Sequence, residues 1–429
     1  MGIKLGILGL GTVGTGTVQL LQDTTDRHPL LEEIEIYRVG VRSLSKSREV
    51  QLASRIVTTD LEAIVNDPEV DIVVELMGGL EPARSLILTA IQNGKHIVTA
   101  NKAVIARFGA EIFTAANQAG VYVMLEAAVG GGIPVIQPMK QSLSVNKIAA
   151  ITGIVNGTTN YILTRMQTEG SEFSDVLADA QRLGYAEADP RADIDGLDAA
   201  DKIAILASLG FDGRIKLSDV YCEGIRQVSK TDIAYAAKLG FVIKLLAIAK
   251  HLNSDNTKLS VRVHPTLVPQ SHPLASINGV YNAILIEGEP IGQVMFFGPG
   301  AGAGATASAV CSDILTLAAI IKTNTAKPNS LLACRHQHYC EIAPISELVT
   351  RFYARFLTHD ESGVIGKLGT CFGKYDVSLE SVVQTGFQGE LAEIVVVTHD
   401  VQEGNFRQAL AEIQNLSAVN TIASILRVL

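Results

Sequence analysis

A short apolar run, Ile3–Leu8, leads without a gap into Gly9-Leu10-Gly11-Thr12-Val13-Gly14, and Thr15–Leu21 continues in helical spacing. The pattern G-x-G-x-x-G is weak alone. Between a strand and a helix it fixes the opening of a parallel α/β unit. Gly9 permits the tight turn, Gly11 lets a pyrophosphate approach the backbone, and Gly14 lets helix and strand pack closely. The helix start adds N–H groups and a dipole that favour an anion. The expected fold class is α/β, with a Rossmann-type doubly wound dinucleotide-binding domain at the N-terminus.

The ends of the next strands carry the chemistry of such a sheet. The second strand, Glu35–Val41, runs into Arg42-Ser43-Leu44-Ser45-Lys46, with no acid at its end. An NAD reader usually places an acid there for the ribose hydroxyls. Arg42, with Ser43 and Lys46, suits a 2′-phosphate, which favours NADPH over NADH. The bland alternative is a solvated basic turn. Asp71–Leu76 and His96–Thr99 read as further parallel strands, with the helical run Pro82–Asn93 between them. Lys102 then falls at the C-terminal end of a strand, where open α/β sheets bind ligands. Its alternative is a lysine that merely starts a helix. Val121–Glu126 reads as a fifth strand entering Ala127–Pro134, a Gly-rich turn whose backbone suits a ligand or offers carbonyls to a cation.

The densest stretch is Leu183–Lys202, LGYAEADPRADIDGLDAADK, which packs Glu187, Asp189, Asp193, Asp195, Asp198 and Asp201 ahead of Lys202 and the apolar run Ile203–Leu209. Gly196 reads as a break before a helix, placing Asp198 and Lys202 at i and i+4 on one face. Such a pair is often a surface ion pair worth little. Several carboxylates in a Gly/Pro-punctuated loop, feeding a helix that enters a core, point instead to a polar site. An amine-bearing substrate needs a carboxylate there, and a proton-transfer step needs a group such as Lys202.

Beyond Lys147 the pattern changes. Ala149–Val155 reads as a strand ending in Asn156-Gly157-Thr158-Thr159-Asn160, and Tyr161–Thr168 as a helix. Thr231–Lys250 reads as one apolar helix, and Lys258–Leu267, Val280–Ile286 and Gln293–Phe297 as strands. A second Gly-rich turn, Gly298–Thr306, precedes the long apolar helix Ala307–Ile321, again a backbone cradle for cofactor or substrate. After a polar linker the tail reads strand, helix, strand, strand, helix, strand: a ferredoxin-like unit. The expected division is 1–135 (nucleotide domain, completed by the helix 305–325), 136–304 (α+β catalytic and dimerisation domain), 326–346 (linker) and 347–429 (tail).

A formal charge of −9 with no Lys/Arg-rich block argues against a nucleic-acid partner. No apolar run approaches the ~20 residues of a membrane span, and the chain opens on a strand rather than a signal sequence. A cytoplasmic place is expected. The scattered cysteines, five in number, fit reduced thiols. Cys334-Arg335-His336-Gln337-His338-Tyr339-Cys340 offers soft ligands, but its spacing fits no zinc pattern and a linker-flanking role is preferred.

Six motifs together resemble one family, homoserine dehydrogenase in its monofunctional form with a C-terminal ACT domain. They are Gly9–Gly14, Thr99–Lys102 (TANK), Glu126–Pro134 (EAAVGGGIP), Asn156–Leu163 (NGTTNYIL), Gly184–Lys202 and Gly298–Val310 (GPGAGAGATASAV). The resemblance spans essentially the whole chain, with no aspartokinase-like region ahead of it. It implies reversible NAD(P)-dependent interconversion of L-aspartate 4-semialdehyde and L-homoserine, on the path to threonine, methionine and isoleucine. Carried over by motif, Lys202 is the proton donor, Asp198 holds the substrate hydroxyl end, Glu187 binds the substrate ammonium and Asp193 supports it. Lys102 lies beside nicotinamide and substrate and is the rival acid/base. Gly9, Gly11, Thr12, Val13, Gly14, Arg42, Lys102 and Gly302 bind the cofactor, and Gly184 lines the substrate. A structural sodium ion is implied at Glu126, Val129, Gly131 and Ile133. The resemblance also implies a homodimer or homotetramer. In the tail, Asp360 and Gly363 are effector candidates, with threonine as the natural effector, although Ser362 stands where the family usually has proline. A tail that only dimerises is the alternative. Two rival functions are a silent amino-acid sensor and a reductase for another small aldehyde. Turnover separates the first, and the acidic motif argues against the second.

Overall fold

The computed structural model describes residues 2–252, 257–323, 329–334 and 338–429. The chain forms two compact units. The first combines Met1–Ile151, Asp201–Leu217 and Asn282–Cys340; the second combines Thr152–Ala200, Ser218–Tyr281 and Glu341–Leu429.

The first unit is built on a six-stranded parallel sheet. Numbered in chain order as Ile3–Leu8, Ile34–Gly40, Val57–Thr58, Ile72–Glu75, His96–Thr99 and Val123–Met124, its strands lie 3-2-1-4-5-6, the doubly wound order. Its central strands, Ile3–Leu8, Ile72–Glu75 and His96–Thr99, are almost continuously buried, as expected when helices cover both faces. The helix Ala303–Thr323 lies on the first helix, Thr12–Gln22. Gly16 makes this approach possible, since a Cβ there would lie 2.9 Å from the Ala303 carbonyl oxygen. Val310, Ile314 and Leu317 share one core with Leu5, Ile7 and Val18.

Two expectations change here. Ala303–Thr323 is long and apolar enough to cross a membrane by length and composition alone, whereas no such run was expected. Its interleaved Gly, Ala and Ser residues disguise the pattern, and buried Asp313 at its centre fits a core helix better than a lipid-facing one. The strand expected over Val121–Glu126, sixth in the sheet because the short strand Val57–Thr58 precedes it, is only Val123–Met124, and Glu126–Ala128 turns into a 3-10 helix. Asp313 accepts the Glu126 backbone N–H at 2.8 Å and draws the chain out of the sheet.

In the second unit, Phe241–His251 and Leu259–Pro269 form a long antiparallel pair. Leu259–Pro269 also pairs in parallel with the last strand, Val419–Val428, through Thr266 and Arg427 and through Leu267 and Val428. The four long tail strands lie in the order fourth, first, third, second, with helices Val364–Lys374 and Glu403–Ile413 packed on them. That is a ferredoxin-like βαββαβ arrangement. The single helix expected over Thr231–Lys250 is instead a helix, Lys230–Lys238, a left-handed Gly240 at φ +82°, and the strand Phe241–His251. A strand buried on both faces reads as a continuous apolar run, so periodicity does not separate it from a helix. Residues 324–328 and 335–337, which fall in the expected linker and at the end of the expected helix 305–325, lie outside the described residues, as do Arg335, His336 and Gln337 of the cysteine–histidine cluster.

Candidate active site

The nucleotide turn of the first unit is shaped by three different demands on glycine. Gly9 sits at φ +105°, and a Cβ there would lie 2.8 Å from the Leu76 carbonyl oxygen. A Cβ on Gly14 would lie 2.2 Å from the Gly9 carbonyl oxygen. A Cβ on Gly11 would meet nothing within 4 Å, so the turn is open on that side to a ligand. Gly11 caps the helix Thr12–Gln22 without a side-chain hydrogen bond, so no capping side chain takes up the first-turn N–H groups. Gly302, at φ +117° with open space around it, begins the second helix in the same way. Arg42 is exposed just beyond the strand Ile34–Gly40, and its guanidinium makes no hydrogen bond among the described residues. The loop around it is closed by a residue that the sequence reading overlooked. Arg48 donates Nη1 to the Lys46 carbonyl at 2.8 Å and Nη2 to the Ser43 carbonyl.

Lys102 is the first residue of the helix Lys102–Ala119, and Asn101 caps that helix by accepting from the Val104 N–H. Asn101 also donates Nδ2 to the Gly79 carbonyl at 2.8 Å. Beneath it lies Glu75, fully buried at the end of its strand, which accepts the Thr99 hydroxyl at 2.7 Å and the Met77 N–H at 2.9 Å. Glu75 was also overlooked. The signal was an acid inside the apolar stretch Ile72–Leu76. Lys202 is buried on the helix Leu197–Gly210. Its neighbour Asp201 accepts from Arg107 of the Lys102 helix at 3.0 Å.

The acidic stretch is sorted into pairs with distinct partners. Asp189 is exposed and paired with Arg191, whose hydrogen bonds hold its carboxyl down to about 2. Asp195 is paired with Arg226, accepting Nη2 at 3.1 Å. Asp193 and Asp198 share a donor: Asn156 donates Nδ2 to Asp193 Oδ1 at 2.7 Å and to Asp198 Oδ2 at 2.9 Å. Local backbone geometry enforces this. A Cβ on Gly224 would lie 2.0 Å from the Ile194 carbonyl oxygen, and Gly196 turns at φ +82° between the short helix Arg191–Ile194 and the helix bearing Asp198. Glu187 stands apart from this cluster. It is exposed, and its carboxylate accepts no hydrogen bond among the described residues. Gly184, at φ +78°, is exposed in the same loop.

At the turn after the sheet, both Glu126 carboxylate oxygens are occupied by backbone N–H groups, those of Val135, Ile136 and Gln137, at 2.6–2.8 Å. Burial nevertheless pushes the Glu126 carboxyl up. Burial and the neighbouring Glu126 push that of Asp313 up to about 7. Val129 and Ile133 are buried, and Gly130 and Gly131 both have positive φ. The carbonyl oxygens of Val129, Gly131 and Ile133 accept no hydrogen bond among the described residues. In the tail, Asp360 and Gly363 line a cavity of 130 Å³ together with Thr358, Val364 and Gln384. Gln384 donates to Asp360 at 3.4 Å, and Gly363 caps the next helix at φ +87°.

Two family profiles match the chain: "Homoserine dehydrogenase, NAD binding domain" over residues 9–126 and "Homoserine dehydrogenase" over residues 134–315. A homoserine dehydrogenase of Synechocystis sp. is 65% identical over 100% of both chains. The crystal structure of a homoserine dehydrogenase from Thiobacillus denitrificans superposes with a TM-score of 0.93 at 39% identity, covering 100% of this chain and 98% of that one. A hyperthermophilic archaeal homoserine dehydrogenase solved in complex with NADPH superposes with a TM-score of 0.61 at 26% identity, covering 74% of this chain and 97% of the other.

Proposed function

Because the chain belongs to the homoserine dehydrogenase family, we propose that it interconverts L-aspartate 4-semialdehyde and L-homoserine with NADPH in preference to NADH, on the route to threonine, methionine and isoleucine. The observation that carries the substrate reading is the meeting of two acids on one amide: Asp193 and Asp198, from two sides of Gly196, both accept from Asn156, at 2.7 and 2.9 Å.

When bound, the nicotinamide supplies the hydride. The protein's own residues bind, orient and move the proton. Glu187 receives the substrate ammonium with Asp193 in support, and Gly184 lines the substrate with backbone. Asp198 holds the hydroxyl end. Lys202, one helical turn after Asp198, stabilises the developing oxyanion and protonates it. Such a group contributes about 3–5 kcal/mol to lowering the barrier. Lys102 orients substrate and nicotinamide from the end of its strand. The open backbone at Gly11 and Gly302 supports the cofactor reading, and exposed Arg42 supports the 2′-phosphate.

A sodium ion fits the turn after Glu126, where the carbonyl oxygens of Val129, Gly131 and Ile133 are left over. Glu126 joins through its own carbonyl, since its carboxylate is taken by N–H groups. The tail acts as an ACT domain and takes threonine in the cavity at Asp360 and Gly363. The enzyme works as a cytoplasmic homodimer or homotetramer.

The test is nicotinamide reduction by L-homoserine with NADP⁺ and with NAD⁺, with and without millimolar threonine. Turnover that is faster with NADP⁺ and depressed by threonine supports the reading. No turnover brings forward an amino-acid sensor that keeps the dinucleotide for structure. If threonine changes neither rate nor melting temperature, the effector assignment fails.

A further inference from the structure

We propose that Asn156 is a positioning residue for the reaction, holding Asp193 and Asp198 together as charged acceptors by giving one amide hydrogen to each. The inference rests on the substrate reading above and adds a residue to it.

The amide is fully committed. Its Nδ2 group donates to Asp193 Oδ1 at 2.7 Å and to Asp198 Oδ2 at 2.9 Å. Its Oδ1 accepts from the Thr159 N–H at 2.9 Å and from the Thr159 hydroxyl at 3.0 Å. The reverse orientation would set a carbonyl oxygen against two carboxylates and an amine against an N–H donor, so the network fixes one orientation. The residue is buried, and its backbone begins the helix Gly157–Glu169. That helix start also grips the other end of the acidic loop, where Thr158 donates its hydroxyl to the Tyr185 carbonyl at 2.6 Å, next to Gly184.

The choice of a neutral donor is informative. Asp189 and Asp195 in the same stretch are each paired with an arginine, which cancels their charge. An arginine in place of Asn156 would bring a positive charge that competes with an ammonium substrate for the two carboxylates. An apolar residue would leave two like charges without a shared donor. An amide holds both in place and adds no charge of its own.

Asn156 therefore has two separable jobs, capping a helix and bridging two acids. Serine caps as well as asparagine does but has no pair of N–H donors. Asn156→Ser thus removes the bridge and keeps the cap, Asn156→Asp keeps the cap and adds a third carboxylate, and Asn156→Ala removes both. The readouts are KM for homoserine, kcat, the pH profile of kcat/KM, NADPH affinity and melting temperature. For Asn156→Ser, kcat/KM for homoserine is expected to fall about ten- to a hundredfold, mostly through KM, with NADPH affinity and melting temperature near wild type. For Asn156→Asp the loss is expected to be larger at neutral pH, with the acid limb of the profile displaced upward as the three carboxylates retain a proton. Asn156→Ser with wild-type KM and pH profile overturns the proposal and leaves a cap alone. Activity losses that track melting temperature across the three variants overturn it too. A wild-type enzyme that does not oxidise homoserine overturns the underlying substrate reading, which separates that failure from this one.

Discussion

Arg355 donates Nε to Asp232 Oδ1 at 2.8 Å with both side chains buried, joining the first tail strand to the helix Lys230–Lys238, which lies outside the tail. Asp232 also closes the capping box of that helix with Ser229. Arg355 further reaches Glu393 at 3.0 Å, and Tyr353 donates its hydroxyl to Asp232 at 3.1 Å. Burial works against the Arg355 charge, but the bond to Asp232 and the charges of its neighbours outweigh it and raise its pKa. Arg355→Met strands two buried carboxylates, and its expected cost is about 3–5 kcal/mol in urea unfolding. A loss below about 1 kcal/mol would show that the network is not what holds this helix to the tail sheet.

Arg42 stands exposed on a loop that Arg48 closes from within. Arg42→Ala should lower kcat/KM for NADP⁺ by about ten- to a hundredfold, the size of lost hydrogen bonds to a charged group. The value for NAD⁺ should change little. Equal losses with both cofactors would mean that Arg42 supports the loop and does not read the 2′-phosphate.

The motifs whose chemistry is written in consecutive residues were legible in the sequence: the glycines at Gly9, Gly11 and Gly14, the acids of Leu183–Lys202, and the βαββαβ order of the tail. What escaped depends on partners far apart in the chain. Glu75 acquires its role only when Thr99 folds over it, Asn156 only when Asp193 and Asp198 arrive, and Arg355 only opposite Asp232. The run Thr231–Lys250 failed for a different reason. Its second half is a strand buried on both faces, and Gly240 was the one local mark of the break.

Lys244 is buried without an acid partner among its hydrogen bonds, donating to Asn160 and Asn278 and to the Ile277 carbonyl. Burial lowers its pKa from 10.5 to about 8. Below pH 8 both folded and unfolded chains are protonated, and folding bears the cost of burying the charge. Between about pH 8 and 10.5 the unfolded chain binds more protons, so this group makes stability rise with pH. Relative to Lys244→Met, wild-type stability should gain up to about 3 kcal/mol across that window. A difference that stays flat over the same range contradicts the burial argument.

If sodium occupies the turn after Glu126, sodium chloride should raise the melting temperature above that in choline chloride of equal ionic strength. The gain is about 2.7 kcal/mol at a hundredfold excess over the dissociation constant. Gly131→Ala should abolish the difference between salts, because a Cβ there would lie 2.5 Å from the Gly300 carbonyl oxygen and deform the turn. Identical melting in both salts for the wild type removes the ion.

The role proposed for Lys202, proton donor in reduction and acceptor in oxidation, is tested by homoserine oxidation with NADP⁺ for the wild type, Lys202→Ala and Lys102→Ala, with NADPH affinity measured on all three. Lys202→Ala is expected to lower kcat by about 10²–10⁴-fold while NADPH binding stays near wild type. A Lys202→Ala enzyme of near-wild-type kcat beside a Lys102→Ala enzyme that has collapsed would contradict it and move the proton to Lys102.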